Sequence, residues 1–176
     1  MEDLQYPVGK FEWPRHSASK EERERWIADI AGTPADLRAS VSGLTEQQLD
    51  TPYRPGGWTL RQVVHHLADS HLNAYVRMRL ALTEDSPTIK PYDQDRWAAL
   101  EDARTGPIDD SLVLLEALHT RWVSLASSLG HDGLHKTFFH PEQETEVSVQ
   151  TLLAMYAWHG RHHVAQISRL RERQNW

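Results

Sequence analysis

Two histidines four residues apart, His159 and His163, lie in the last strongly amphipathic segment of this 176-residue chain. On a helix, side chains at this spacing are about 5 to 6 Å apart, so two imidazoles can reach one ion at about 2.0 to 2.1 Å each. An earlier segment contributes three further candidates, His65, His66 and His71. Three imidazoles that converge inside a helical bundle would hold a divalent metal and leave one coordination position free for chemistry, which predicts an enzyme.

The histidine pattern alone also allows a structural interpretation. The chain has 11 histidines, so an HxxxH pair can arise by chance and be buried in the core, hydrogen-bonded to carbonyls or hydroxyls. Periodicity does not select the third ligand either. His71 lies nearest the centre of the apolar face of its segment, His66 lies at the margin of that face, and His65 lies on the far margin. The third ligand therefore stays open among these residues.

Four long amphipathic segments are predicted to position the histidines. The first follows a capping-box pattern from Ser19 to Glu22, and Gly32, Thr33 and Pro34 predict a kink in it or a division into two pieces. A long crossover with a short helix at 95–103 precedes the third segment, and a short irregular hairpin or extended loop precedes the last. The predicted helices cover residues 20–41, 60–82, 108–130 and 149–173.

Composition restricts the class of protein. The length and the 39% of apolar residues fit a single domain over residues 1–176. No apolar run is long enough to cross a bilayer and the amino terminus is charged, so we expect a cytoplasmic protein with no membrane partner. The net charge of -6 argues against nucleic acid as a partner and favours a small-molecule substrate. The absence of cysteine excludes disulfides and a thiolate nucleophile within the chain.

Two blocks of sequence resemble the YfiT group of the DinB-like superfamily. They are GGWTLRQVVHHLADSHLNAY at 56–75 and YAWHGRHHVAQI at 156–167, and YPVGKF at 6–11 and TFFHPE at 137–142 resemble the same group. The resemblance implies an all-α four-helix bundle whose metal is held by His66, which directly precedes Leu67, together with His159 and His163. It also implies a homodimer with one zinc or nickel ion per subunit. Gln166 stands where we expect many relatives to have another histidine, which puts in doubt only a contact outside the ligand set.

Members of this group are classed as metal-dependent hydrolases or as transferases that join a low-molecular-weight thiol such as bacillithiol to electrophiles. Three neutral imidazoles leave the ion its full charge, so a bound water or thiol is strongly acidified. Peptidases of the HExxH type have a glutamate where this chain has Gly160, which disfavours that class. A carboxylate from another segment could serve a hydrolase, and the candidates are Asp69, Asp93, Asp95 and Glu142.

The resulting prediction is a metal-dependent S-transferase in which a metal-bound thiolate attacks small electrophiles. A hydrolase that uses metal-bound hydroxide is the alternative, and a noncatalytic metal-binding dimeric module is the second alternative. No catalytic residue beyond the three ligands is assigned.

The remaining polar and aromatic candidates are predicted to lie outside the ligand set. His162 is expected beside the ligands or on the surface. Trp58 and Trp158 are expected to pack the bundle, with pocket lining as the alternative. Loop or helix-surface positions are expected for His119, His131 and His140, although His140 belongs to a block that resembles the family and could line the pocket. Three residues could bind a carboxylate of a thiol cosubstrate, although such arginines are usually solvated: Arg54, Tyr156 and Arg161.

Overall fold

The computed structural model describes residues 4–14 and 16–176. Most of these residues belong to helices, and one two-stranded sheet accompanies them. In chain order the elements are α1 (Lys20–Val41), α2 (Glu46–Leu49), α3 (Leu60–Thr83), α4 (Gln94–Ala98), α5 (Glu101–Thr105), α6 (Ile108–Ser127), α7 (His131–His135), β1 (Thr137–His140), β2 (Thr145–Ser148) and α8 (Val149–Gln174).

The four long helices form a bundle, which confirms the predicted fold class. Helix α1 packs against α8 and α6, and α3 packs against the same two helices from the opposite side. The hairpin of β1 and β2 is antiparallel, pairs Thr137 with Ser148, and lies beside α3 and α8. None of the helices in the described ranges is long and apolar enough to cross a membrane.

The starts of α1 and α3 were predictable because their caps are local. The Ser19 side chain accepts a hydrogen bond from the Glu22 backbone, and the Glu22 side chain accepts one from the Ser19 backbone. Thr59 and Gln62 form the same reciprocal arrangement at the start of α3. Each capping box satisfies two backbone N–H groups that would otherwise lack partners, which fixes where the helix begins.

Helix α1 is continuous across Pro34, so of the two predicted alternatives, a kink or a division, the division into two pieces is excluded. A proline in a helix removes the hydrogen bond to the carbonyl four residues earlier, here that of Ile30. The Ile30 carbonyl instead lies 2.6 Å from Nδ1 of His119 on α6. Because a neighbouring helix supplies the missing partner, the helix can pass through this position.

Arg61 on α3 is a charged residue that is buried. Its side chain is 4% exposed and donates to Glu46 at 2.5 Å, to Asp50 at 2.8 Å and to the Gly106 carbonyl at 3.0 Å. Burial alone would lower the pKa of Arg61, but its hydrogen bonds to Asp50 and Glu46 raise it instead. The hydrogen bonds of one guanidinium therefore connect α3 to α2 and to the segment that precedes α6.

The core consists of two apolar clusters separated by polar side chains. One cluster includes Met78, Trp122 and Leu153, and the other includes Leu37, Leu67 and Ile167. Between the two clusters, α3, α6 and α8 contribute imidazoles instead of apolar side chains. We call these residues the histidine layer: His66, His71, His119, His159 and His163.

Candidate metal centre

The structure brings together the three histidines that the family resemblance implied. One ring nitrogen each from His66 on α3 and from His159 and His163 on α8 lie within 4.8 Å of one another. The Nε2 atoms of His66 and His159 are 3.3 Å apart. Two imidazole nitrogens bound to one tetrahedral zinc ion are about 3.3 Å apart, given a bond length of about 2.0 to 2.1 Å. The donor set therefore fits a divalent metal.

The other two candidates from the second segment lie outside this set. His65 turns towards α6, where its Nδ1 lies 2.7 Å from Ser111 Oγ and its Nε2 lies 3.3 Å from the Gly106 carbonyl. His71 is fully buried and contacts His159 from the side away from the three-histidine cluster. His66 is thus the only one of the three that the structure places among the ligand candidates.

Burial keeps the candidate ligands neutral. Removal from water lowers the pKa of His66, His159 and His163 well below 6.5, and repulsion from neighbouring histidines lowers it further. A neutral imidazole has one N–H donor and one lone pair, and the lone pair is what binds a metal. The cluster therefore offers its metal-binding form at neutral pH.

Gln166 determines which nitrogen of His163 carries the proton. Its amide nitrogen donates to the Gln5 carbonyl at 3.1 Å, so its Oε1 atom faces His163 Nδ1 at 2.8 Å. An amide oxygen only accepts, so Nδ1 of His163 donates and Nε2 keeps the lone pair. Gln166 thus contacts a candidate ligand from outside the set. The same amide nitrogen lies 3.0 Å from His162 Nε2, and His162 stacks on Trp158.

A cavity of about 500 Å³ lies beside the three histidines. The face of α8 forms one wall, and the other walls come from the segment before α1, the loop before α3, and α4. Trp58 and Trp158 both line it, and Trp58 also packs against the apolar cluster that includes Leu37 and Leu67. The Trp58 ring lies 4.6 Å from that of His66, centre to centre. The remaining lining residues include Gln5, Tyr6, Tyr53, Arg54, Gln94, Asp95 and His162.

Asp95 is the only carboxylate among the described residues that line this cavity. Its Oδ1 accepts a hydrogen bond from Trp58 Nε1 at 3.1 Å. The other proposed bases, Asp69, Asp93 and Glu142, do not line the cavity, although burial raises the pKa of Asp69 to about 6. A base for hydrolysis at this site would therefore be Asp95.

Gly160 lies on the side of α8 that faces α1 and not the cavity. A Cβ atom at this position would collide with the Thr33 side chain, which itself donates to the Asp29 carbonyl at 2.8 Å. A glutamate here would be sterically excluded. The glycine is required by the close approach of two helices, which accounts for the departure from the HExxH pattern.

The remaining predictions divide between correct and wrong. His119 is 2% exposed, so its assignment to a surface was wrong, whereas His131 is exposed as predicted. Spacing of three and four residues from Leu115 and Trp122 could have placed His119 inside the bundle.

Three residues that were considered for the pocket do not line the cavity: His140, Tyr156 and Arg161. Arg161 pairs with Asp29, and the Tyr156 hydroxyl lies 3.2 Å from Ser70 Oγ.

Comparisons with known proteins agree with the observed fold. The DinB superfamily model matches residues 20–167. Proteins from Bacillus cereus strain ATCC 10987 and Bacillus thuringiensis subsp. konkukian strain 97-27 are each 52% identical over 100% of both chains, and both are named "putative metal-dependent hydrolase". The solved structure of YfiT from Bacillus subtilis, described as a probable metal-dependent hydrolase with an unusual four-helix bundle topology, has a TM-score of 0.96 and 45% identity over 99% of both chains. The chain belongs to the DinB superfamily.

Proposed function

We propose that this protein is a metal-dependent enzyme in which His66, His159 and His163 hold a divalent ion. The observation that carries the proposal is the approach of three neutral imidazoles to within 4.8 Å of one another beside an open cavity. The names of the relatives support the same general class. Imidazole ligands suit zinc and nickel alike, and we propose one such ion per subunit.

A divalent ion held only by neutral ligands keeps its full charge and would lower the pKa of a protic molecule bound beside it. The protein's own part is to position that molecule. Trp58 and Trp158 give the cavity apolar walls, and Arg54 adds a cation whose Nε is held by the Tyr53 hydroxyl at 3.0 Å. The cavity therefore suits a small substrate that carries an apolar part and an anionic group.

We propose that the reaction transfers a low-molecular-weight thiol, such as bacillithiol, to a small electrophile. A sulfur–carbon bond forms, the leaving group departs with the bonding electrons, and the thiol proton passes to solvent. Asp95, the one carboxylate among the described residues of the cavity wall, already accepts a hydrogen bond from Trp58, and a thiol of lowered pKa needs no strong base. The chain has no cysteine, so the sulfur must arrive with a cosubstrate.

Hydrolysis is the second candidate, because the relatives are named as hydrolases and Asp95 lies in the cavity wall. In that case Asp95 would accept a proton from the attacking water. A noncatalytic metal-binding module is the third candidate.

One experiment separates the three candidates. Zinc-loaded protein is incubated with 1-chloro-2,4-dinitrobenzene and, in turn, cysteine, glutathione and bacillithiol, and in parallel with p-nitrophenyl acetate and an anilide. We expect thioether product with at least one thiol, and no product above background with the His159→Ala variant. Ester or anilide cleavage alone would replace transfer with hydrolysis, and no product from zinc-bound protein would favour the noncatalytic module.

We also propose that the protein forms a homodimer, as its family resemblance implies. Leu72 and Val76 lie one turn apart on α3 and are 39% and 46% exposed, which gives this helix an apolar outer face. Sedimentation velocity of the wild type should show a dimer. A monomer at micromolar concentration would contradict this proposal.

A further inference from the structure

A line of hydrogen-bonded imidazoles runs through the bundle behind the candidate metal centre. It begins at the Ile30 carbonyl on α1, which has no helical partner because Pro34 lacks an N–H. His119 on α6 takes that place, with its Nδ1 2.6 Å from the carbonyl oxygen. A carbonyl can only accept a hydrogen bond, so Nδ1 of His119 must carry a proton.

The direction of the next hydrogen bond follows from the first. His119 is buried, and burial lowers its pKa to about 4, so the ring is neutral at pH 7 and its Nε2 has a lone pair. That Nε2 lies 2.8 Å from Nδ1 of His71 on α3, and the two rings stack with 14° between their planes. His71 must therefore donate from Nδ1 and keep its own lone pair on Nε2.

The last hydrogen bond reaches a candidate ligand. Nε2 of His71 lies 3.1 Å from Nδ1 of His159 on α8, so His159 donates from Nδ1. Its lone pair is then on Nε2, the atom that lies 3.3 Å from Nε2 of His66. With the opposite proton arrangement, His159 would direct an N–H towards the centre and could not bind an ion there.

We infer that His71 and His119 are positioning residues, which hold His159 in the one tautomer that can bind the metal. This inference rests on the proposed metal site but concerns two residues outside the ligand set. Each of the four long helices contributes one member of the line: Ile30, His71, His119 and His159. Hydrogen-bond partners of metal-bound histidines typically change metal affinity about 10- to 100-fold when they are removed.

A matched pair of substitutions isolates the hydrogen-bond line from packing. In His119→Gln, one amide can donate to the Ile30 carbonyl and accept from His71, which keeps the line intact. In His119→Leu, the side chain fills similar space but offers neither a donor nor an acceptor. Both variants change the core, so a purely packing role would affect them alike.

The first measurement is the tautomer of each histidine in metal-free, ¹⁵N-labelled protein, read from long-range ¹H–¹⁵N correlations at pH 7.5. We expect His71, His119 and His159 to be protonated on Nδ1 in the wild type and His159 to keep that state in His119→Gln. A His159 ring protonated on Nε2 in the wild type would overturn the inference. This measurement needs no variant, so it decides the question even where His119→Leu does not fold.

The second measurement is zinc affinity at pH 7.5, by competition with a chelating dye. We expect His119→Leu to bind zinc about 10- to 100-fold more weakly than the wild type and His119→Gln to stay within about threefold of it. Equal affinity of the Leu variant and the wild type would overturn the positioning role and leave the proposed function intact. A wild-type protein that binds no zinc would overturn the proposed function and this inference together.

Discussion

The position of a single proton determines whether a histidine can bind a metal. The Nδ1 atom of His159 is hydrogen-bonded to His71, and the Nδ1 atom of His163 is hydrogen-bonded to Gln166. Both Nε2 lone pairs are therefore directed towards His66. A metal would therefore enter a site whose ligands are already oriented. Less conformational freedom is lost on binding when the ligands are fixed beforehand.

Removal of one proposed ligand should abolish metal binding without unfolding the bundle. We expect His163→Ala to lose stoichiometric zinc while far-ultraviolet circular dichroism shows nearly unchanged helicity, because the two apolar clusters supply most of the stability. Metal content after gel filtration is the measurement. His131→Ala, at an exposed histidine, is the control and should retain the metal. Retention of zinc by His163→Ala would contradict the ligand assignment.

Arg54 should determine affinity for an anionic cosubstrate. Two of its nitrogens are held by the Tyr53 hydroxyl and the Pro55 carbonyl, which fixes the guanidinium at the cavity wall. We expect Arg54→Ala to raise KM about tenfold for a thiol that carries carboxylates, the equivalent of about 1.4 kcal/mol, with kcat nearly unchanged. A neutral thiol such as 2-mercaptoethanol should show no such change, and an equal effect on both thiols would argue against this role.

The identity of the third ligand could not be derived from periodicity. His71 lies at the centre of the apolar face and is fully buried, as the pattern indicates, yet it points into the core and contacts the candidate ligand His159. His66 lies at the margin of that face and lines the cavity, a position that would let a bound metal face both the cavity and the core. Only the resemblance to a family identified it.

At the scale of helices, the sequence correctly predicts the features that depend only on neighbouring residues, such as where a helix begins. The capping boxes at Ser19 and Thr59 define where α1 and α3 begin, and neither depends on the rest of the chain. The continuity of α1 through Pro34 depends on an imidazole from α6, which no local pattern contains. The short helices α2 and α7 were not predicted, since four or five residues give too little periodicity.

The contact between α1 and α8 should be sensitive to one methyl group. An alanine in a helix is favoured over glycine by about 1 kcal/mol, but a Cβ at Gly160 meets Thr33. We therefore expect Gly160→Ala to lower the free energy of unfolding by about 1 to 2 kcal/mol, measured by urea titration. Gly32→Ala is the control in α1, where the added Cβ is in ordinary contact at 3.6 Å, and it should stabilise the protein.

A double-mutant cycle tests the cause of that loss. If the Thr33 side chain is the obstacle, Gly160→Ala should cost less in a Thr33→Ala background, with a coupling of about 1 kcal/mol or more. Additive effects of the two substitutions would show that the collision is relieved elsewhere.

For the whole molecule, the histidine layer makes stability depend on pH. Burial lowers the pKa of His119 to about 4 and those of the other four members well below 6.5. Between pH 6.5 and the lower native pKa values, the unfolded chain binds protons that the native protein does not, so stability falls as pH falls. The pKa of Asp69 is raised to about 6, so this group makes stability rise as pH falls. It is one group, whereas the histidine layer has five.

We expect the free energy of unfolding of metal-free protein to decrease steadily from pH 7 to pH 4.5. His119 alone contributes a loss of up to about 3 kcal/mol by pH 4, since one pKa unit corresponds to about 1.4 kcal/mol. Urea titrations at several pH values give the slope, and His119→Gln should reduce it. A stability that does not change between pH 7 and pH 5 would contradict this account.

The cavity shows the limit of sequence-based prediction at this scale. Its walls come from the segment before α1, the loop before α3, α4 and α8, which are far apart in the chain. Trp58 donates a hydrogen bond to Asp95, which is 37 positions away in the sequence, and Gln166 donates one to Gln5, which is 161 positions away. Such proximities follow from the packed bundle and cannot be derived from the spacing of residues.

The amino-terminal segment has a practical consequence for handling the protein. The Gln5 carbonyl accepts from Gln166, whose amide oxygen faces His163, and Tyr6 lies in the cavity wall. An oligohistidine purification tag joined to this end would tether spare imidazoles close to the three-histidine cluster, where they could compete for the ion or supply an artificial fourth ligand. Metal stoichiometry should therefore be determined on protein from which any such tag has been cleaved.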